Sequence, residues 1–288
     1  MNPQAQIEDS LERGWIVVAP DHRLCPQVNI LEGPMGDIRA FHKWVYDGHL
    51  DVEFASRSIP FRVDTKRIIA TGTASGGHAS LGLAYDPAPT PPPAAIISYY
   101  APMNFAHPWW TGIRDKLDVN TPELTPEMEK MVFSQYPIPS RVDIPAKPDH
   151  TGKIRLPETD PANPTYESAR IAYSTSIITR HELLDVSYPF PSDKTISPAD
   201  HYRLIDPVAN VHQQWPPTCL VHGADDNLLP HTVTAEPLTQ ELQKQGVECE
   251  FIKISGAKHM FAISMTRQSE EWVHVGKAMD WAARMIGK

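Results

Sequence analysis

The chain has 288 residues, 41% of them hydrophobic and 21% charged, which is enough for a substantial core in one large α/β domain or two small ones. A formal net charge of −9 leaves no basic face for nucleic acid or an anionic membrane, and no apolar run is long enough to span a bilayer. The opening Met1-Asn-Pro-Gln-Ala-Gln6 lacks the pattern of a secretory leader, and Cys25, Cys219 and Cys249 are odd in number and widely spaced. These features predict a cytoplasmic protein with free thiols.

In chain order, residues 5–13 read as a helix with Ile7 and Leu11 one turn apart, closed by Gly14. The apolar run Trp15–Ala19, bounded by Pro20 and Asp21, predicts a strand buried on both faces. A helix carrying Ile38, Phe41, Trp44 and Val45 follows Gly33-Pro34, and residues 49–66 read as loop. Arg67–Thr71 and Ala94–Tyr100 predict strands. Residues 103–200 then change character: the 29 prolines of the chain concentrate between 87 and 217, and only a stretch from Thr125-Pro126 and one at Tyr166–Ile178 look helical. This is the composition of an inserted lid. Strands return at Thr218–His222 and Cys249–Ile254, separated by a helix over Val233–Lys244. A final helix shows Trp272, Val275, Met279, Ala282 and Ile286 on one stripe.

Alternating strands and helices predict a mostly parallel, doubly wound sheet, with the chemistry at the carboxyl ends of its strands. The expected division is a core at 1–102 and 201–288 and a lid at 103–200. Three such strand ends are chemically loaded. Ile68-Ile-Ala-Thr-Gly-Thr-Ala-Ser-Gly-Gly77 has the strand–turn–helix context of a nucleophile elbow, with Gly72 and Gly76 flanking the turn so that no side chain clashes there. Its middle position, where G-x-S-x-G holds the serine, is Ala74. Ser75 comes one residue late, at the helix start; reading Thr73–Gly77 as the motif puts Ser75 in the middle but loses the first glycine. Asp225 and Asp226 follow the strand ending at His222, and His259 follows the strand ending at Ile254. A nucleophile position, then a carboxylate, then a histidine is the order acyl transfer needs for a base and the group that orients it. Asp226 is the expected imidazole partner and Asp225 a solvent-facing loop acid, while His78, in the elbow helix, and His222, at a strand end, have no metal-ligand company at useful spacing. No metal or cofactor is implied.

On these residues the chain resembles the α/β-hydrolase superfamily, in its carboxylesterase/hormone-sensitive-lipase-like branch. Asp21-His-Arg-Leu24 is similar to that branch's D-Y-R-L, Gly72–Gly77 to its G-D-S-A-G-G, and His222-Gly-x-x-Asp226-x-x-Leu-Pro230 and Gly256-Ala-x-His259 to its acid and histidine turns. The Pro-rich segment and Pro216–Gly223 look most like fungal members, often found in secondary metabolism. The resemblance implies catalytic positions at Ala74, Asp226 and His259, with serine replaced by alanine at the first, and an oxyanion contribution from the Ser75 N–H. It also implies an ester, acyl or polyketide-like substrate; hydrolysis is not expected of the chain as written. A non-hydrolytic cyclase, dehydratase or lyase using His259 as base, and a catalytically dead binding protein, stand as alternatives. Trp109 and Trp110 are candidate substrate-binding residues, or lid-core packing.

The family's first three strands have no counterpart, so an N-terminally truncated sheet is expected. The missing third strand would lie between 15–19 and 67–71, leaving roughly 9–10 Å to be closed by direct pairing, filled by something else, or occupied by an N-terminal segment that the working form has and this chain lacks. A homodimer joined at such an edge fits the same pattern.

Overall fold

The computed structural model describes residues 4–85, 90–110, 123–141, 147–148, 154–155, 160–191, 195–263 and 265–287, with backbone alone at 147–148 and 154–155. It separates into two compact units: residues 1–20, 38–105 and 205–288, and residues 21–37 and 106–204. Much of the expected lid, at 111–122, 142–146, 149–153, 156–159 and 192–194, lies outside the described residues.

In the first unit, α1 (Gln4–Glu12), α2 (Gly36–Tyr46, from Ile38) and α3 (His49–Ser56) precede strand β1 (Ile69–Thr73). Next come α4 (Ser75–Leu81) and β2 (Ala95–Tyr99). The second unit holds α5 (Pro126–Ser134), a short antiparallel ribbon of β3 (Lys147–Pro148) and β4 (Ile154–Arg155), α6 (Tyr166–Thr179), α7 (Leu183–Ser187) and α8 (Pro198–Arg203). The chain then returns to the first unit with β5 (Thr218–Gly223), α9 (Ala235–Lys244), β6 (Cys249–Ile254) and α10 (Glu270–Ile286).

The four long strands form one parallel sheet in the order β1-β2-β5-β6. The central strands β2 and β5 are buried at every position and largely apolar because both their faces are covered, whereas β6 keeps Glu250 and Lys253 exposed. The two-residue period of a strand sends Ala95, Ile97 and Tyr99 of β2 to one face with Cys219 and Val221, where Ile252, Val275, Met279 and Ala282 pack. Ile96 and Leu220 face the other way, against Leu81, Ala84, Leu238 and Leu242. Each fully buried leucine there contributes about 1.5–3 kcal/mol by leaving water. The sheet is doubly wound, as its alternation predicts.

Three local expectations are corrected. Trp15–Ala19 is not a strand, and Ile16, Val17 and Val18 are 40%, 40% and 45% exposed. A strand needs a ladder partner, and among the described residues the sheet ends at β1, which pairs with β2 alone. Residues 49–56 are a helix, not a loop; only Leu50 of it is buried, so its apolar periodicity is faint. In α1 the buried residue is Ala5, while Leu11 stands 57% exposed.

In the second unit, Thr125 caps α5 by accepting from Met128 N at 3.2 Å, with Pro126 at the first helical position. Thr165 and Ser168 form a capping box on α6. The two helices bury Met128, Val132, Ala169, Ala172, Tyr173 and Ile177 together. Among the described residues, Arg170 donates to three neutral oxygens: Gln135 Oε1, the Cys25 carbonyl and Gln27 Oε1, at 2.6, 3.0 and 2.8 Å.

Candidate active site

β1 runs straight into α4 through one residue, Ala74, at φ 47° and ψ −119°. A side chain at positive φ meets its own backbone, so this geometry costs on the order of 1–3 kcal/mol and persists only when the surroundings enforce it. They do: the Ala74 N–H donates to Tyr99 O at 2.9 Å, and the Ala74 carbonyl accepts from His78 N at 3.1 Å. The sequence assigned the flanking glycines to close approach, and this is half right. A Cβ on Gly72 would collide with the Gly76 carbonyl, but one on Gly76 would meet nothing within 4 Å. The second tight position is Gly77, where a Cβ would stand 2.8 Å from Ser98 Oγ and 3.0 Å from Ala101 Cβ. Ser75 is the exposed first residue of α4, and N–H groups of a first turn have no acceptor within their own helix.

The acid and histidine turns are built by the β5–β6 pair. Its register sets Gly223 beside Ile254 at the carboxyl ends of both strands. Beyond that point the two turns are cross-linked: Ala224 N donates to Ile254 O at 2.8 Å and Asp225 N to Ala257 O at 3.0 Å. Gly223 must be glycine, because a Cβ would overlap the Ala257 carbonyl. Asp225 is exposed, as expected, and the buried acid is Asp226, with a fully covered side chain.

His259 Nδ1 lies 2.7 Å from Asp226 Oδ2. Asp226 Oδ1 accepts from Leu229 N at 2.8 Å. Burial alone would push this carboxyl up, but hydrogen bonds from His222 and His259 outweigh it, with the Leu229 N–H adding to them, and its pKa falls to about 2. The carboxylate is therefore ionised and can only accept. Nδ1 of His259 must carry the proton, which leaves Nε2 as the basic nitrogen. The imidazole is mostly covered, with 12% of its side chain exposed, and the edge-to-face ring of Tyr100 backs it at 4.9 Å. Ala74 packs against the core cluster that contains Tyr100.

Two participants were not singled out by sequence. Tyr100, at φ 37° directly after β2, is a wall of the histidine site. His222, read only as a strand end without metal-ligand company, sets its Nε2 3.1 Å from Asp226 Oδ2. The four-residue spacing from His222 to Asp226 across a turn was the available signal. Trp109 and Trp110 belong to the second unit, where their rings meet perpendicularly at 4.9 Å and Trp110 is buried. Among the described residues no group of three His, Cys, Asp or Glu side chains is arranged to hold a metal, and no helix is long and apolar enough to cross a membrane.

Residues 170–288 match the model of the prolyl oligopeptidase family. A non-reducing polyketide synthase of Preussia isomera is 28% identical over 277 residues, covering 91% of this chain and 12% of that protein. Another, of Stereocaulon alpinum, is 26% identical over 295 residues, covering 98% of this chain and 11% of its own length. The chain thus spans about an eighth of the curated relatives it matches. Among solved structures, esterase 2 of Thermogutta terrifontis phosphonylated by sarin superposes with a TM-score of 0.50 at 16% identity, covering 90% of this chain and 67% of the esterase chain. The parallel doubly wound sheet and this likeness establish the α/β-hydrolase fold.

Proposed function

We propose that this α/β-hydrolase-fold chain is a carboxylesterase-like, serine-hydrolase-type scaffold for an ester or acyl substrate of polyketide character, with Ala74 in the nucleophile's place. The observation that carries the reading is an ionised, buried Asp226 bonded to His259 Nδ1 at 2.7 Å, in a fold whose elbow residue is at φ 47°. In acyl transfer a hydroxyl at 74 gives its proton to His259 Nε2 as its oxygen attacks the carbonyl. Asp226 stabilises the imidazolium that forms, and the same proton passes to the leaving group. The Ser75 N–H is assigned to the developing oxyanion, with Gly72 and Gly76 as the elbow's frame. An alanine at 74 has no oxygen to attack, so the chain as written does not hydrolyse esters by this route. The likeness to fungal polyketide synthases supports an acyl substrate from secondary metabolism. Residues 103–200 are assigned to a lid, and Trp109 and Trp110 to substrate contact.

Ala74→Ser tests the reading. Short p-nitrophenyl esters and acyl thioesters should be turned over by the serine form at a rate on the order of 10⁴- to 10⁶-fold above the parent. A folded Ala74→Ser protein with no gain over the parent removes the acyl-transfer assignment.

The intact Asp226–His259 pair in a chain whose elbow residue is alanine favours a second reading, in which His259 acts as general base in a cyclisation or elimination with no covalent step. Under it the parent chain turns over substrate, His259→Ala does not, and mass spectrometry finds no adduct.

A further inference from the structure

Asp226 Oδ2 is shared between two imidazoles, at 2.7 Å from His259 Nδ1 and 3.1 Å from His222 Nε2. His222 Nε2 also stands 2.8 Å from the Leu229 carbonyl. A carbonyl and an ionised carboxylate both only accept, so Nε2 of His222 carries a proton and divides it between the two oxygens. The imidazole is 1% exposed. Leu229 closes the arrangement from the other side: its N–H holds Oδ1 while its carbonyl fixes the His222 tautomer.

We infer that His222 is a positioning residue, a second imidazole whose Nε2–H orients the Asp226 carboxylate for His259 and shares the oxygen that His259 uses. This rests on the proposed roles of Asp226 and His259. Its physical content is a competition. An oxygen that accepts two N–H donors offers less charge to each, so His222 weakens the Asp226–His259 hydrogen bond relative to one made to an undivided carboxylate. The other charged or titratable neighbours are few. The His231 ring is 6.2 Å from that of His222 and pairs with Glu236 at 3.0 Å, Lys253 stands 3.6 Å from Glu236, Tyr100 backs His259, and Asp225 and Lys258 flank the turns at the surface.

Imidazole ¹⁵N NMR on the chain as it stands, with no turnover required, tests this. In the parent, the His222 resonances should show a protonated Nε2, and the His259 resonances a protonated Nδ1. In His222→Phe, which deletes the donor but keeps a ring, the His259 Nδ1–H proton should move downfield as its hydrogen bond to Oδ2 is no longer shared. His222→Gln, whose amide N–H can replace Nε2–H, should restore the parent position. A purely space-filling His222 predicts that phenylalanine serves as well as histidine. A folded Phe variant with an unmoved Nδ1–H signal, or a Gln variant that behaves like Phe, overturns the inference. If the Phe variant does not fold, the parent spectrum still decides: an unprotonated His222 Nε2 overturns it equally. A silent Ala74→Ser esterase assay would remove the acyl-transfer reading without touching these signals.

Discussion

The Leu229 N–H donates to Asp226 Oδ1 at 2.8 Å, which leaves the other carboxylate oxygen to the two histidines. Both oxygens of this buried acid are thus committed, one to a backbone N–H three residues away and the other to two imidazoles.

The acid stability of the fold should record this. The Asp226 carboxyl is held at about 2, below its ordinary value of 3.8. A depressed carboxyl stabilises the fold above the unfolded value, and the stabilisation is lost as pH falls from about 4 to about 2. Its size is about 2 kcal/mol. Asp226→Asn should therefore be less stable than the parent by roughly that amount at pH 7, with the two curves converging near pH 2, as followed by urea unfolding across pH.

A second acid-sensitive group acts in a different window. His78 is buried in α4, and desolvation lowers its pKa to about 4 against the opposing hydrogen bond to Ile205 O, with Arg39 adding to the depression. The unfolded chain binds this proton near pH 6.5 and the folded one does not, so stability falls as pH drops from about 6.5 to about 4. His78→Leu should flatten that part of the curve, worth on the order of 3 kcal/mol at its full extent, and leave the lower Asp226 step in place. An unchanged slope between pH 6.5 and 4 would contradict the assignment.

The glycines give a contrast within one experiment. Gly223→Ala forces a Cβ into the Ala257 carbonyl and must separate the acid turn from the histidine turn. It should destabilise by about 2–4 kcal/mol and broaden or shift the His259 ring signals. Gly76→Ala, with open space around its Cβ in a helical turn, should be neutral or stabilising by up to about 1 kcal/mol.

Ala74 itself should respond to release of its backbone. Ala74→Gly removes the positive-φ penalty and should raise stability by about 1 kcal/mol in thermal unfolding. A loss of stability instead would mean that the Ala74 methyl's packing in the core cluster outweighs the strain.

The parts of the fold legible from sequence were those fixed by local chemistry. Thr218–Gly223 was readable because a strand buried on both faces of a parallel sheet needs a largely apolar run, and Cys249–Ile254 because Phe251, Ile252 and Ile254 cluster in it despite exposed Glu250 and Lys253; the acidic and histidine turns were readable because both segments end abruptly. Trp15–Ala19 shows the limit of the same rule, since an apolar run becomes a strand only if a neighbour supplies hydrogen bonds. His222 escaped notice for a different reason: its role depends on how far a side chain reaches back across a turn. Asp206 was equally hidden. It is buried and accepts from the N–H groups of Asn104 and Phe105 at 2.8 Å each, about a hundred residues away, an arrangement no local pattern encodes. Asp206→Ala should leave those donors unsatisfied and cost about 2–3 kcal/mol.

The acid and histidine turns are stitched to each other by Ala224 and Asp225, while the bend at residue 74 is held by Tyr99 and His78. The bend and the paired turns therefore hold their shapes through separate hydrogen bonds, none of which runs through the side chain at 74. Under the role proposed for that position, exchanging its methyl for a hydroxymethyl leaves every one of these tethers in place.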